Sequence, residues 1–97
     1  MSTIEDWRAE IDRIDKELLH LLNERARIAL EIGALKRTTG APLYDGARER
    51  QVLAHVRCAN RGPLDDRAVM KIFRRIIGET RRVAIEHLTE VELNGRA

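Results

Sequence analysis

Aromatic side chains are scarce in this sequence: Trp7, Tyr44 and Phe73 are the only three in 97 residues. RNA- and single-strand-binding surfaces built on stacking platforms need more of them. Cys58 is the lone cysteine, which excludes an intramolecular disulfide framework and a multi-thiolate zinc site. No stretch approaches the roughly 18 consecutive apolar residues of a membrane span. The segment Met1–Trp7 has neither a basic n-region nor an apolar h-region, so no signal peptide and a cytoplasmic address are expected. There is no strong excess of one charge: 18 basic residues stand against 16 acidic ones, a net +2. That balance weakens a nucleic-acid reading. What remains is 43% apolar and 35% charged, too apolar for a disordered tail. The length suits one small domain, residues 1–97.

Apolar periodicity then fixes the class. Ile4, Trp7, Ile11, Ile14, Leu18, Leu21, Leu22, Ile28, Ile32 and Leu35 recur mostly at steps of three or four, which predicts an amphipathic helix over about 3–38. Ser2 and Glu5 read as its capping box, and Thr38-Thr39-Gly40-Ala41-Pro42 ends it. A second helix is expected over about 45–59, N-capped by Asp45 and with Val52, Leu53 and Val56 on its apolar face. After the break at Asn60-Arg61-Gly62-Pro63, a third runs over about 65–93 and stops at Asn94-Gly95. No alternating strand pattern, repeat or low-complexity tract occurs. The fold class is all-α, with one long, one short and one medium-long helix.

The first helix raises a problem of size. Some 36 residues at about 1.5 Å each reach roughly 54 Å, whereas a compact chain of this length has a diameter of roughly 32 Å. Two shorter helices cannot cover an apolar stripe that long. A second copy is the simplest cover, so a helical dimer with its first helices packed along one another is expected.

Polar residues in unexpected places mark a candidate site. Arg25 and Lys36 are eleven positions apart, within roughly 20° of whole helical turns, and Ile32 falls on nearly the same face. Arg8 lies about 100° away around the helix, suited to a partner's cluster rather than its own. On the second helix Asp45, Arg48, Glu49 and Val52 share a side, and the third offers Thr80 with Ala84 one turn on. Singly, such cations are surface residues whose stems lie along apolar surface. Together, several cations, a carboxylate and a hydroxyl around apolar walls suit a small dianion that carries a hydroxyl group, because arginine's planar fork matches carboxylates. His20, His55 and His87 lack metal-ligand spacing, and Cys58 has no basic constellation that would make it a nucleophile, so it is expected buried or half-buried. The arginines at 74, 75, 81 and 82 read as a solvated flank. No metal site is expected.

The ordered set Arg8-Ala-Glu-Ile-Asp-Arg-Ile-Asp-Lys-Glu-Leu-Leu19, Leu21-Leu-Asn-Glu-Arg25, Lys36, Pro42, Asp45, Arg48-Glu49 and Ile72-Phe73-Arg-Arg-Ile-Ile77 resembles the AroQ-class, all-α chorismate mutases over nearly the whole chain. The resemblance implies an intertwined dimer with two active sites and three helices per chain. It implies that Arg25 binds a substrate carboxylate and that Arg8 is lent to the other protomer's site. Lys36 would contact a carboxylate and the ether oxygen, and Arg48 would support the carboxylate region. Glu49, with the backbone of Asp45, would orient the ring hydroxyl. Thr80 stands for the family's usual serine, while Ile32, Val52 and Ile77 correspond to pocket walls. Ala84 departs from the pattern: the family normally has Gln or Glu there as a second donor to the ether oxygen. Arg81 and Glu86 are near in sequence, but neither shares Ala84's angular position. This departure leaves open a slower mutase, a donor supplied from elsewhere, a related substrate or an engineered substitution.

The activity implied is the pericyclic conversion of chorismate to prephenate in phenylalanine and tyrosine biosynthesis, with no cofactor, nucleophile or general base. Lys36, Arg25 and Glu49 would carry catalysis. The alternatives are an isochorismate pyruvate-lyase of the same fold and a weakly active or non-catalytic regulatory helical dimer. The partners expected are a cyclic dicarboxylate and a second copy, with neither nucleic acid nor membrane.

Overall fold

The computed structural model describes residues 2–95, and the remaining positions of the expected 1–97 domain lie outside the described residues. Three helices, α1 (Ile4–Thr39), α2 (Gly46–Ala59) and α3 (Asp66–Gly95), account for the architecture, and no strand occurs among the described residues. The all-α expectation and all three helices are as the periodicity indicates, with ends moved by one or two residues.

Local chemistry explains the boundaries. The cap of α1 is one residue later than the Ser2–Glu5 reading: Thr3 is the N-cap, its hydroxyl accepting from the Asp6 amide at 3.1 Å while the Asp6 carboxylate accepts from the Thr3 amide at 2.9 Å. Ser2/Glu5 and Thr3/Asp6 satisfy the same spacing rule, and the shorter acid closes the box here. Gly40 ends α1 in the left-handed region at φ 75°, where a side chain would be strained. Asp45 caps α2 as expected, accepting from the Arg48 amide at 3.0 Å. Asp65 does the same for α3 through the Ala68 amide at 2.7 Å. The expected stop at Asn94-Gly95 is corrected: both residues are still helical. Cys58 is also corrected, since it is exposed.

The helices form an open arrangement. α3 packs against both α1 and α2, whereas α1 and α2 make no direct helix contact. The molecule measures 62 × 30 × 15 Å with a radius of gyration of 17.4 Å, well above the roughly 12.5 Å of a compact chain of this length. Its tightest point is the crossing of α1 and α3, where Gly33 meets Ala84 and Leu88. Among the described residues Ala84 and Leu88 are the buried hydrophobic core. Along the first half of α1 the apolar stripe stays open, with Trp7 61%, Ile11 56% and Ile14 50% exposed. Arg13 bridges Glu10 and Glu17 on the polar side, the i, i+3 and i, i+4 pairing that supports a helix lacking tertiary cover. The outer face of α3 is laced in the same way, with Arg82 bridging Glu79 and Glu86. The hydrogen bond from Arg82 to Glu79, reinforced by its charge, holds that carboxyl below its ordinary range. Among the described residues no helix is long and apolar enough to cross a membrane.

Candidate active site

Directly beside the α1–α3 crossing lies a cavity of about 140 Å³, lined from α1 by Arg25, Ala29, Ile32, Gly33 and Lys36, from the α1–α2 loop by Leu43, and from α3 by Ile77, Thr80, Arg81 and Ala84. Helical geometry builds it. The α1 residues recur at steps of three and four along one face, and so do those of α3. Gly33 lets the helices approach: a Cβ there would sit 3.2 Å from Leu43 and 3.4 Å from Leu88.

The structure brings five of the residues expected from sequence to this cavity, namely Arg25, Lys36, Ile32, Ile77 and Thr80, together with the departing Ala84. Arg25 Nη1 donates to Thr80 Oγ1 at 3.4 Å across the α1–α3 gap. The Thr80 hydroxyl donates in turn to the Ile76 carbonyl at 2.7 Å. Neither Arg25 nor Lys36 has an ion-pair partner among the described residues. Both are half-buried. Two uncompensated cations thus face one apolar-walled space.

Residues of α2 sit differently. Glu49 reaches the α3 wall of the cavity through an ion pair with Arg81 at 3.1 Å. Asp45 is occupied as the α2 N-cap, and Arg48 donates to Gln51 at 2.8 Å in an exposed position. Val52 is half-buried and does not line the cavity. Arg8 is distant within its own chain. It pairs with Glu5 at 3.2 Å near the start of α1, 17 residues and hence about 26 Å along the axis from Arg25.

Sequence reasoning misses four lining residues, Ala29, Gly33, Leu43 and Arg81, of which Arg81 alone is charged. The pattern groups it with a solvated flank and sets it apart from Ala84 by angle, yet it lines the cavity and lies over the Tyr44 ring, 5.0 Å from its centroid. Its neighbour Thr80 is the available signal: a long side chain one position on from a cavity residue can swing its head back toward the cleft.

Fold and cavity together define a three-helix protein with an apolar-walled cleft that two cations face. A family profile described as chorismate mutase type II matches residues 7–85, and the chain belongs to that family. It is 38% identical over 81 residues to a bifunctional chorismate mutase/prephenate dehydratase of Aquifex aeolicus, covering 79% of this chain but only 22% of that longer protein. Among solved structures it resembles chorismate mutase (form II) from Thermus thermophilus, with a TM-score of 0.82 and 38% identity, covering 84% of this chain and 92% of that one. It also resembles chorismate mutase from Helicobacter pylori in complex with prephenate, with a TM-score of 0.83 and 30% identity over 90% and 94% of the two chains.

Proposed function

We propose that this chain converts chorismate to prephenate, a step of aromatic amino-acid biosynthesis, at a site completed by a second copy of itself. The observation that carries the reading is the pair of cations without a carboxylate partner among the described residues, Arg25 and Lys36, on one cavity with apolar walls. Their two positive charges balance the two carboxylates of chorismate. The rearrangement is intramolecular: the ether C–O bond to the ring breaks as a C–C bond forms between the enolpyruvyl methylene and the ring. It calls for confinement in a reactive conformer and for donors where negative charge grows on the ether oxygen.

In this reading Arg25 holds one carboxylate and Lys36 donates to the second carboxylate and the ether oxygen. Ile32 and Ile77 press the enolpyruvyl group against the ring, and Val52 closes the wall once substrate draws α2 inward. Glu49 and the Asp45 backbone orient the ring hydroxyl, with Arg48 supporting the carboxylate region. Thr80, whose own proton is spent on Ile76, keeps Arg25 aimed across the cavity.

Two observations support a second copy. The cavity's 140 Å³ is below the roughly 300 Å³ at the lower end of ligand pockets, so one chain supplies part of a site. The uncovered stripe of Trp7, Ile11 and Ile14 on α1 is contiguous with Arg8, and antiparallel or crossed packing of two such helices carries Arg8 to the partner's cavity. An apolar groove between α1 and α3, bordered by Leu19, Leu22, Ile72 and Val83, extends the face open to that partner.

The test is to incubate the purified chain with chorismate and to follow its loss together with prephenate appearance. One-for-one conversion without pyruvate is expected. Pyruvate release from isochorismate with chorismate untouched would instead establish the lyase, and no turnover of either would leave a non-catalytic dimer.

A further inference from the structure

We propose that Arg81 touches the substrate: it is the donor through which α3 reaches the bound anion, while the other edge of its guanidinium positions Glu49. The inference deepens the mutase reading above and rests on it for the identity of the anion.

Four residues of α3 line the cavity: Ile77, Thr80, Arg81 and Ala84. Ile77 and Ala84 have no polar side-chain atom. Thr80 donates its only hydroxyl proton to the Ile76 carbonyl at 2.7 Å and accepts from Arg25, so it has no proton to offer a ligand. Arg81 is therefore the one side chain with which α3 can donate into the cavity. A guanidinium carries five N–H donors in a planar fork, and the pair with Glu49 at 3.1 Å engages Nη1, leaving other N–H groups to a ligand. The cation also lies over the Tyr44 ring at 5.0 Å, which limits its freedom and adds cation–π attraction. Its side chain is 33% exposed and that of Glu49 is 25% exposed, so the pair stands at the rim of the cleft rather than in bulk solvent.

The same residue joins the elements of the site. α2 packs on α3 and not on α1, so Glu49 is referenced to the cavity through Arg81. Charge bookkeeping agrees with a dianion. Within one chain's own cavity wall Arg81 is paired with Glu49, and Arg25 and Lys36 are the cations left without a carboxylate. Donation from the Arg81–Glu49 pair fixes direction without adding net charge.

Two routes of action are separable by a double-mutant cycle on the full chain, with kcat and KM for chorismate measured for each variant and calorimetric binding of chorismate measured in parallel. Arg81→Ala is expected to lower kcat/KM by about 10²–10³, chiefly in kcat. Arg81→Lys, which keeps charge but loses the fork, recovers part of it. In a Glu49→Ala background, Arg81→Ala still costs tenfold or more if Arg81 contacts substrate. No further loss there would overturn direct contact and leave only the positioning of Glu49, and an Arg81→Ala chain within threefold of wild type would overturn both roles. If Arg81→Ala loses helicity, Arg81→Gln, which keeps the stem, is judged by the same criteria. A wild-type chain that binds chorismate without converting it refutes the mutase reading alone, and the role of Arg81 is then decided by whether Arg81→Ala weakens that binding tenfold or leaves it intact. Absence of binding and turnover together refutes both.

Discussion

Lys36 carries the heaviest electrostatic role in the proposed mechanism. It is half-buried, lines the cavity and has no carboxylate beside it among the described residues. Its replacement by alanine breaks no ion pair among the described residues, and alanine is the better helix former. Lys36→Ala is therefore expected to cut kcat by at least 10²–10³ while the far-ultraviolet circular dichroism is unchanged; near-normal turnover would remove Lys36 from the mechanism. Ala84 poses the converse question. At 4% exposure it contributes a methyl to the cavity floor and no donor. Because Arg81 already supplies one from the same helix, Ala84→Gln is expected to change kcat less than tenfold. A gain of about 10²–10³ in the same steady-state assay would mean that the cleft lacked a donor and that Arg81 does not fill the role. Residue-level legibility is uneven for a physical reason. Arg25, Ile32 and Lys36 share a face by helical arithmetic alone, as do Ile77, Thr80 and Ala84. Arg81 cannot be read that way, because the reach of a long side chain beside a helix crossing depends on Glu49 and Tyr44, which neighbour it only in the folded chain.

Elements set how precisely these side chains converge. α1 and α3 meet at Gly33, Ala84 and Leu88, and the cavity opens directly beside that contact. A methyl at Gly33 would press on the far end of the Leu43 side chain at 3.2 Å, which can rotate. A larger group has no such escape. Gly33→Leu is expected to destabilise the chain by about 1–3 kcal/mol through overpacking, and to reduce turnover further than stability alone would by wedging Arg25 and Lys36 away from Thr80. Chemical denaturation and kinetics on one preparation check both effects; unchanged stability would show that the crossing is looser than the structure makes it. The helices themselves are legible because three separate apolar periodicities are broken at Gly40-Ala41-Pro42 and at Gly62-Pro63. The placement of α2 is not, since periodicity gives a helix's face but not which neighbour covers it, and α2 docks on α3 alone.

At the scale of the whole molecule, extension and an uncovered first helix support the proposed dimer. A 62 Å long chain with Ile4, Trp7, Ile11 and Ile14 at least half exposed leaves an apolar stripe that water disfavours at about 25 cal/mol per Å². The length of the first helix, taken from sequence alone, leads to the same result. Sedimentation of the full chain is expected to give twice the 11.1 kDa of one copy, with unfolding that shifts to lower denaturant on dilution; a monomer at micromolar concentration would contradict this.

The central claim is that two chains build each site, Arg8 from one and Lys36 from the other, and mixing tests it most directly. Arg8→Ala and Lys36→Ala chains, each inactive alone, are allowed to exchange subunits. Every mixed dimer then has one site with both residues intact and one with neither. Random exchange makes half of the dimers mixed, so about a quarter of the wild-type chorismate-to-prephenate rate should return. No recovery once exchange is verified by mass would contradict a site shared between chains.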